Sequence, residues 1–542
     1  MSGRAASLPD PVAEGLAAGW SATNASKLAG DLRLDADVAI VGTGAGGGTA
    51  AEILTKAGLR VVMLEEGPLM SSSAFHMRES EAYPDLYQES AARKTKDKGI
   101  AILQGRCVGG STTVNWTASF RTPPATLSYW QRVFGLKELT VDELAPWFAV
   151  MERRLSIEPW PLPPNENNDV LRRGAAKLGI PTAAIRRNVK GCWNLGYCGE
   201  GCPTNAKQSM LVTTIPAALS RGAVLVSRAS AQRLVIAKDR VTEVQCVALD
   251  ASGVRPGAYR VSVKARHFVL AAGAIGTPAL LLRSGAPDPH QRLGRRTFLH
   301  PTCVSAAIMP GRVDGYAGAP QSVYCDHFLE TQPIDGAIGY KLEVPPLHPL
   351  LMATTLQGYG RTHAQLMGHL PDTQAIIALQ RDGFNPHSQG GRVLLKSDGS
   401  PLLDYPISDF VWDGLRRAYL SMAEIQFAAG AKSVLPIHED AMPYSSLQAA
   451  REAIKRLPMQ VIRARVLSAH AMGGCSMGSD ARNAVVGSDG RHHQLDNVSV
   501  FDGSVFPTSV GANPQLSIYG LAARQTSRLA QWLTGRPAPA IA

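Results

Sequence analysis

The clearest pattern of apolar and polar positions lies near the amino terminus, where a short apolar run meets a glycine-rich turn. Residues 37–41 (DVAIV) are typical of a buried parallel strand, and the turn 42–47 (GTGAGG) follows at once. Residues 49–57 predict a helix, and residues 60–64 predict a second strand that ends at Glu65. We therefore expect the chain to open with a doubly wound α/β unit.

The glycines of this turn have the spacing of a dinucleotide-binding fingerprint. Gly42 permits the tight turn, Gly44 lets a pyrophosphate approach the backbone, and Gly47 lets the helix pack closely on the strand. The amino terminus of the helix then faces the phosphates. Glu65 follows about 20 residues later, where an acidic side chain binds a ribose hydroxyl. The pattern predicts a bound dinucleotide but does not separate FAD from NAD.

Composition places the chain among ordinary globular proteins. Of 542 residues, 45% are hydrophobic and 18% are charged, which excludes a disordered, collagenous or coiled-coil chain and allows two or three domains. The formal net charge is +11, but the basic residues are dispersed and no nucleic-acid motif accompanies them. We expect no nucleic-acid partner, while an acidic protein or a membrane surface stays open as a partner.

Neither a signal peptide nor a membrane span is expected. Residues 1–10 contain a single Arg and no apolar core. The apolar stretches 268–282 and 344–360 are interrupted by Gly or Pro and fall short of the roughly 20 residues that a spanning helix needs. The sequence therefore predicts a cytoplasmic protein, with peripheral membrane association left open.

A second glycine-rich loop and three later segments carry a family resemblance. The loop is 105–115 (GRCVGGSTTVN), and the later segments are 273–285, 468–478 and 502–523. With the fingerprint, they resemble in the same order the sequence blocks of the glucose-methanol-choline (GMC) flavoprotein oxidoreductases. The branches they resemble most are the cysteine-containing alcohol or sugar dehydrogenases and the long-chain alcohol oxidases. The resemblance implies an α/β fold with a Rossmann-like FAD-binding domain and a discontinuous α+β substrate-binding domain.

The cofactor that the resemblance implies is FAD. Glu65 would hold the adenosine ribose, and the segment around 231–233, with Arg233 as the candidate residue, would lie at the adenine. Asp502 and Gly503 would meet the pyrophosphate and the ribityl chain. The loop over the flavin would contribute Gly105, Arg106, Gly109, Gly110, Ser111 and Asn115. Some relatives attach the flavin covalently through a His one residue before this Asn; Val114 stands there, so we expect non-covalent FAD.

Two residues of the carboxy-terminal blocks are the expected catalytic pair. Alcohol oxidation needs a group that takes the hydroxyl proton, and a His with a pKa of about 6.5 suits this task. By resemblance, His470 removes or shares that proton, Asn513 hydrogen-bonds the developing alkoxide, and flavin N5 accepts the hydride. Glu343 is either an ordinary strand or surface residue or an auxiliary base.

Three of the eight cysteines cluster. Cys192, Cys198 and Cys202 have the spacing C-x5-C-x3-C-P, whose tail is similar to the end of a ferredoxin motif. The spacing resembles that of sugar dehydrogenases with a three-iron cluster, whereas residues 196–209 resemble a loop of the long-chain alcohol oxidases, for which no cluster is expected. The three thiols are candidate iron–sulfur ligands, with zinc, a disulfide or free thiols as alternatives.

The blocks divide the chain into discontinuous domains. We expect an N-terminal arm at 1–29, an FAD-binding domain at 30–122, 190–310 and 465–542, and a substrate-binding domain at 123–189 and 311–464. The segment 344–360 (VPPLHPLLMATTLQGYG) is apolar and broken by Pro, so it is either buried core or an access loop for an apolar substrate. It is the feature that favours a long-chain or aromatic alcohol over a sugar.

These observations predict an FAD-dependent oxidation of an alcohol to an aldehyde or ketone. The cysteine cluster favours a dehydrogenase that passes electrons to a protein acceptor or a quinone. The alternatives are an oxygen-using oxidase of long-chain or aromatic alcohols, a hydroxynitrile lyase that keeps FAD without net redox, and a non-catalytic flavin subunit of an electron-transfer assembly.

Overall fold

In the computed structural model, which describes residues 8–541, the strand predicted at 37–41 becomes the central strand Leu32–Val41 of an eight-stranded sheet. Across this first sheet the strands run in the order Ala22–Asn24, Val224–Ser227, Val61–Leu64, Leu32–Val41, Pro256–Leu270, Arg240–Leu249 and Ala229–Ala237, with Val498–Val500 also beside Pro256–Leu270. The last two strands of this order form an antiparallel edge, and all other pairs are parallel. A strand that precedes the glycine turn, lies in the centre of the sheet and has parallel neighbours is the arrangement of a doubly wound fold.

The apolar run is buried because helices cover this sheet. Val38, Ala39 and Ile40 have no exposed surface, as expected for a strand covered on both faces. The predicted helix begins directly after the glycine turn and extends over Ala45–Lys56. The long carboxy-terminal helix Gln515–Thr534 packs against it.

The predicted arm is partly integrated into the first sheet. Residues 1–7 lie outside the described residues, Pro11–Ala17 is a helix, and Ala22–Asn24 is the edge strand that pairs in parallel with Val224–Ser227. The sheet therefore begins before residue 30, the boundary that the sequence predicts.

The second sheet also has eight strands. Its order is Ile100–Ile102, Val466–Ser468, Thr302–Ile308, Thr373–Gln380, Tyr340–Glu343, Val323–Cys325 and Ala183–Ala184, with Ser433–Pro436 also paired to Thr302–Ile308. The helix Asp409–Ala428 packs on this sheet. The strands 100–102, 302–308 and 466–468 lie in segments assigned above to the FAD-binding domain, so the chain crosses between the two sheets at these three places.

Two small sheets and the remaining helices complete the described chain. The small sheets contain Pro401–Asp404, Gly391–Leu395, Arg295–Phe298 and Met472–Gly473, and Ile157–Pro159 with Arg186–Asn188. The other α-helices are Glu79–Leu86, Ser111–Val114, Pro124–Phe134, Val141–Arg154, Glu166–Lys177, Thr214–Leu219, Gly273–Arg283, Pro349–Thr355, Gly360–Gly368 and Leu447–Arg456. Within residues 8–541, none of the helices combines the length and the apolar character that crossing a bilayer requires.

Candidate active site

A cavity of about 1000 Å³ runs along the border between the two large sheets. Its lining includes residues of the glycine turn with Glu65, residues of the loop 105–115, and His470 with Asn513. Small-molecule sites usually have volumes of roughly 300–1,000 Å³, so this cavity is large enough for a cofactor together with a substrate. It joins the predicted nucleotide site and the predicted catalytic pair in one continuous space.

The glycine turn forms a cradle at the amino terminus of the helix Ala45–Lys56. Gly42 has a φ of +94°, and a Cβ on Gly47 would lie 1.9 Å from the carbonyl oxygen of Gly42. Neither position therefore accepts a side chain. Gly44 faces the cavity, and no side chain caps the helix there. The backbone N–H groups of the first helical turn are therefore available to a diphosphate.

Glu65 is held at the cavity wall by three donors. Its Oε2 accepts hydrogen bonds from the N–H (3.0 Å) and the hydroxyl (2.7 Å) of Thr43, and its Oε1 accepts one from the N–H of Gly67 (2.9 Å). Burial raises the pKa of this carboxyl, and the three hydrogen bonds oppose the rise. The side chain is fixed at the place where the resemblance puts the adenosine ribose.

The second glycine-rich loop lies directly against the first. The N–H of Gly109 donates to the hydroxyl of Thr43 (3.0 Å), and Nδ2 of Asn115 donates to Oε1 of Gln515 (2.7 Å). The predicted loop residues that line the cavity are Gly105, Arg106, Gly110, Ser111 and Asn115, while Gly109 is buried behind them. The loop is therefore fixed both to the glycine turn and to the carboxy-terminal helix.

Asp502 closes the cradle from the carboxy-terminal segment. Its Oδ2 accepts hydrogen bonds from the N–H of Gly273 (2.9 Å) and the hydroxyl of Thr277 (2.6 Å), and its Oδ1 accepts one from the N–H of Ser504 (2.8 Å). Burial raises the pKa of the carboxyl against these donors. Asp502 and Gly503 both line the cavity. Three distant segments thus meet around one site.

The lining suits a flavin dinucleotide. A Cβ on Gly110 would lie 2.8 Å from the Cα of Gly44, so bare backbone forms the wall where the two glycine-rich segments meet. An uncapped helix terminus faces the same space, and the acidic side chain of Glu65 lines it. Val114 is buried and offers no nucleophile, in keeping with the prediction of non-covalent FAD.

Arg233 is a predicted cofactor residue whose side chain does not line the cavity. It is exposed on the strand Ala229–Ala237. On the neighbouring strand, Arg233 pairs with Gln245 and Ala231 pairs with the next residue, Cys246, so one extra residue lies between the two pairs. The extra residue interrupts the alternation of side chains along the strand. Residues 229–232 line the cavity instead, so the predicted contact is corrected to the segment just before Arg233.

His470 and His300 form a hydrogen-bonded pair between the sheets. Their Nδ1 atoms are 3.1 Å apart, and Nε2 of His300 accepts a hydrogen bond from the N–H of Gly511 (3.1 Å). Burial lowers the pKa of both rings, to about 3 for His470, to which Lys341 also contributes. A neutral His300 that accepts at Nε2 carries its hydrogen on Nδ1 and donates it to His470. Neutral His470 therefore carries its own hydrogen on Nε2.

Asn513 is oriented by a buried carboxylate. Its Nδ2 donates to Oε2 of Glu343 (3.1 Å), and Nε2 of Gln321 donates to the same oxygen (2.9 Å). Nζ of Lys341 lies 3.5 Å from Oε1 of Glu343. Burial raises the pKa of Glu343 and lowers that of Lys341 to about 8. The reverse amide orientation would place an oxygen against the carboxylate, so Oδ1 of Asn513 is the atom left buried without a partner among the described residues.

Glu343 itself is neither a surface residue nor part of the cavity wall. Its side chain has no exposed surface at the end of the strand Tyr340–Glu343, and it contacts the site through Asn513 and Gln321, which do line the cavity. The structure therefore places Glu343 behind the catalytic pair.

The wall beyond His470 and Asn513 is mostly apolar. Alternate residues of two neighbouring strands face it, which follows from the two-residue period of a strand. They are Thr302, Val304 and Ala306 on one strand and Thr373, Ala375, Ile377 and Leu379 on the other. From 344–360, Leu347, Leu351, Met352, Thr355 and Leu356 cover the same space. This segment thus lines the cavity, and Leu347, Met352 and Leu356 are also buried.

The three clustered cysteines lie close to buried cations but do not share a single-ion site. Among residues 8–541, the one group of three or more possible ligand atoms lying within 4.8 Å of one another contains no cysteine. Sγ of Cys198 accepts a hydrogen bond from Arg187 (3.6 Å), Sγ of Cys202 from the N–H of Lys207 (3.5 Å), and Sγ of Cys192 from a neighbouring backbone N–H (3.4 Å). The tetrahedral zinc alternative finds no support in this arrangement.

Sequence reasoning missed several residues of the site, among them Arg283 and His300. Arg283 lines the cavity from the end of the helix Gly273–Arg283 and donates to the carbonyl oxygen of Ala231 (2.9 Å). Its position inside the block 273–285 is a signal that could have found it. His300 has no such signal, because it stands outside the motifs and gains its role only where the two sheets meet.

Comparisons with known proteins point to one family. Family models described as GMC oxidoreductase match residues 83–302 and 386–522. An uncharacterized GMC-type oxidoreductase of Sinorhizobium fredii is 30% identical over 92% of this chain and 95% of that protein. The long-chain-alcohol oxidase FAO4A of Arabidopsis thaliana is 28% identical over 92% of this chain and 69% of that protein.

Solved structures share the fold at low sequence identity. A formate oxidase variant of Aspergillus oryzae has a TM-score of 0.69 at 16% identity, covering 93% of this chain and 99% of that one. A pyridoxine 4-oxidase from Mesorbium loti has a TM-score of 0.63 at 18% identity, covering 91% and 98%. The predicted α/β fold is confirmed.

Proposed function

The chain belongs to the GMC oxidoreductases, a family of FAD-dependent enzymes, and from this premise we propose that it oxidises an alcohol with an apolar chain to the corresponding aldehyde. The observation that carries the proposal is the single cavity in which the nucleotide cradle, His470, Asn513 and an apolar wall meet. The named long-chain-alcohol oxidases among the relatives support the same substrate class.

The apolar wall sets the expected selectivity. Each methylene group that moves from water into such a wall contributes about 0.8 kcal/mol, which corresponds to about a fourfold gain in kcat/KM. A sugar would instead bury hydroxyl groups against Val304, Ala306 and Ile377, at the cost of their hydrogen bonds to water. We therefore expect preference to rise with chain length until the wall is covered.

His470 and Asn513 are the polar side chains that meet the alcohol oxygen in this proposal. Nε2 of His470 carries a hydrogen, so it donates to that oxygen and stabilises the negative charge that develops there. Asn513 has a second N–H for the same oxygen, and the hydroxyl proton would leave to Nε2 of His470 when that ring takes its other neutral tautomer. Bound FAD supplies the two-electron acceptor for the hydrogen that leaves the alcohol carbon.

This donor role refines the prediction that His470 takes the hydroxyl proton. Proton uptake at Nε2 requires the hydrogen between the two rings to lie on Nδ1 of His470. His300 would then carry its own hydrogen on Nε2, facing the N–H of Gly511 at 3.1 Å. Two opposed donors at that distance lose a buried hydrogen bond, so the base-competent tautomer is the minor one at rest.

The electron acceptor is part of the same proposal. The prediction of a non-oxygen acceptor depends on an iron–sulfur relay, which the comparisons do not support. The relatives with a named alcohol substrate are oxidases, and their names favour molecular oxygen as the acceptor. The dehydrogenase stays a prediction that the experiment below separates from an oxidase.

The test is the reduction of bound flavin by a series of alcohols. Purified holoenzyme is mixed anaerobically with 1-alkanols of increasing length, with benzyl alcohol and with glucose, and flavin bleaching is followed by stopped flow. We expect bleaching that quickens with chain length and is abolished in His470→Ala. His369→Asn, at an exposed His of the same domain, is the control and should leave the rate unchanged.

Two results would overturn parts of the proposal. If no alcohol bleaches the flavin, the chain is not an alcohol-oxidising enzyme, and a lyase or a non-catalytic flavin subunit becomes the better interpretation. If glucose bleaches the flavin faster than the long alkanols, the apolar substrate class is wrong. Readmitting oxygen then measures the acceptor, since hydrogen peroxide formed at the rate of bleaching identifies an oxidase.

A further inference from the structure

A second group of ionisable side chains is buried outside the active-site cavity. Glu79, Glu200 and His348 come from three separate parts of the chain, and one possible ligand atom of each lies within 4.8 Å of the others. Their exposed fractions are 8%, 2% and 1%. Neither the nucleotide cradle nor the catalytic pair uses any of them. Nothing in the proposed reaction explains why two acids and a histidine are buried together.

The hydrogen bonds of Glu79 explain why this residue is buried, but they do not explain why Glu200 and His348 are buried beside it. Its carboxylate accepts hydrogen bonds from the N–H groups of Leu350 (2.6 Å) and Leu351 (2.8 Å) and from the hydroxyl of Tyr83 (2.9 Å). These contacts attach the helix Glu79–Leu86 to the helix that begins at Pro349. A carboxylate offers about four acceptor sites, two on each oxygen. Oε1 accepts from Leu351 and Tyr83 and Oε2 only from Leu350, so one lone pair remains, on Oε2.

Glu200 has no comparable explanation. Both of its carboxylate oxygens are fully buried and have no hydrogen-bond partner within the described chain. Nδ1 of His348 lies 2.8 Å from Oε1 of Glu200, in a geometry that does not make a hydrogen bond, and Nε2 of His348 is also buried without a partner. The His348 ring is stacked on Tyr197 with the two centroids 4.6 Å apart, which fixes its plane. Unpartnered lone pairs therefore point into the group.

The charges of the group are also unbalanced. Lys207 is a buried cation of the same loop, but its ammonium already donates to the carbonyl oxygens of Thr113, Asn115 and Cys198. Two buried carboxylates beside a neutral His leave two negative charges in a low-dielectric interior, and a charged His leaves one. A buried charge is retained only when it is paired or coordinates a metal.

We propose that Glu79, Glu200 and His348 bind one divalent transition-metal ion, with Zn²⁺ as the ion of choice. Two carboxylates neutralise the ion, and an imidazole ligand favours Zn²⁺ or Fe²⁺ over Mg²⁺ and Ca²⁺. Three protein ligands leave one position of a tetrahedral ion for water. The site uses the glutamate between Cys198 and Cys202, so the ligand from the cysteine-bearing loop is a carboxylate and not a thiolate.

The ion would connect the mouth of the substrate cavity to the flavin domain. His348 directly precedes the helix Pro349–Thr355, whose Leu351 and Met352 line the cavity. Glu200 lies in the loop after Cys198, which contacts the flavin-covering loop through Lys207. One ion bound by both segments fixes the apolar wall relative to the flavin.

The test measures metal and thermal stability without reference to turnover. Flavin-loaded protein is stripped with a chelator and dialysed, and Zn²⁺, Mn²⁺, Co²⁺ or Fe²⁺ is then added back singly, the last without oxygen. We expect one Zn²⁺ per chain by plasma mass spectrometry and a melting temperature that rises on adding Zn²⁺ and falls again with chelator. The rise should grow with the logarithm of free Zn²⁺ above its Kd.

Variants then assign the ligands. Glu200→Gln and His348→Asn should each lower bound Zn²⁺ at least tenfold and abolish the Zn²⁺-dependent rise in melting temperature. Glu81→Gln, at an acid on the same helix as Glu79 whose side chain is 41% exposed, should keep both. If none of the four ions binds stoichiometrically to wild-type protein or raises its melting temperature, the site is a buried histidinium–carboxylate pair and the proposal is overturned. That result needs no variant, so a misfolded substitution cannot obscure it.

Discussion

Replacing His300 by alanine tests how the active-site imidazole is held. His300 accepts a hydrogen bond at Nε2 from the N–H of Gly511 and donates one from Nδ1 to Nδ1 of His470, each 3.1 Å long. Its hydrogen therefore lies on Nδ1, and that of His470 lies on Nε2. In His300→Ala, Nδ1 of His470 loses its donor and the ring is free to place its hydrogen on either nitrogen. The alcohol oxygen then meets a donor in only part of the molecules.

The magnitude follows from the cost of a buried acceptor that has lost its donor. That cost is about 1–3 kcal/mol, which corresponds to a loss of about 5- to 150-fold in the rate of flavin reduction. The Kd of a long alkanol should hardly change, because the apolar wall is untouched. His300→Gln is the matched variant, since its amide can accept from Gly511 and donate to His470, and it should recover most of the rate.

Two measurements check this reasoning. Anaerobic stopped flow gives the reduction rate and the substrate Kd for wild type, His300→Ala and His300→Gln. Nitrogen-15 NMR of labelled histidine gives the tautomer of His470 in the resting enzyme. A resting His470 with its hydrogen on Nδ1 would refute the donor role and restore the base role inferred from the sequence. A wild-type rate in His300→Ala would show that the pair does not govern the imidazole.

Two further predictions concern the whole fold. Burial lowers the pKa of His267 and His470 to about 3 and that of His492 to about 4, against about 6.5 unfolded, so each favours the folded state above pH 6.5 and loses that contribution as the pH falls toward 4. Together the three histidines lower the free energy of unfolding by up to ~4 kcal/mol for each pH unit between pH 6.5 and 4. A melting temperature that stays flat from pH 7 to 5 would contradict this. Gly47→Ala should lower the melting temperature and weaken FAD retention on gel filtration, because its Cβ would lie 1.9 Å from a backbone oxygen of the turn. Gly30→Ala, with nothing within 4 Å, is the control, and equal effects in the two variants would remove the packing explanation.

The opening unit could be predicted because its signals are local. A buried strand, a turn that excludes side chains and the following helix are neighbours in sequence, and the structure shows the strand at Leu32–Val41 and the helix at Ala45–Lys56. The extent of the helix was underestimated because the sequence prediction began after the glycines. In the structure those glycines form its first turn, where small residues allow close packing on the strand.

The remaining parts of the site depend on contacts between distant segments. Arg233 was misplaced because a bulge shifts the alternation along its strand, and a bulge has no reliable local signature. His300 carries no motif and becomes important only through His470, which lies 170 positions later. The apolar segment 344–360 reads equally as core or as cavity wall, since both require the same apolar residues. In the fold, the segment is cavity wall because it lines the same cavity as two strands of the second sheet.

The cysteine-bearing loop can matter to the flavin site without holding a cluster. Nζ of Lys207 donates to the carbonyl oxygens of Thr113 (2.6 Å) and Asn115 (2.9 Å), at the end of the flavin-covering loop, and to that of Cys198 (2.6 Å). Burial lowers the pKa of Lys207, and the neighbouring Cys198, Cys202 and Glu200 oppose that shift. A change at Cys198 that moves its carbonyl oxygen would therefore disturb Asn115.

An iron–sulfur relay and a structural loop thus predict different outcomes for the same substitution. Cys198→Ser keeps the backbone carbonyl, so the structural role predicts normal flavin content and normal flavin reduction. A relay predicts normal flavin reduction but loss of electron transfer to an external acceptor, together with iron and acid-labile sulfide in the wild-type protein. Quantifying iron and sulfide beside the flavin therefore decides the role of the loop before any variant is made. The hydrogen bonds of Lys207 hold in either case, because they involve carbonyl groups and not thiols.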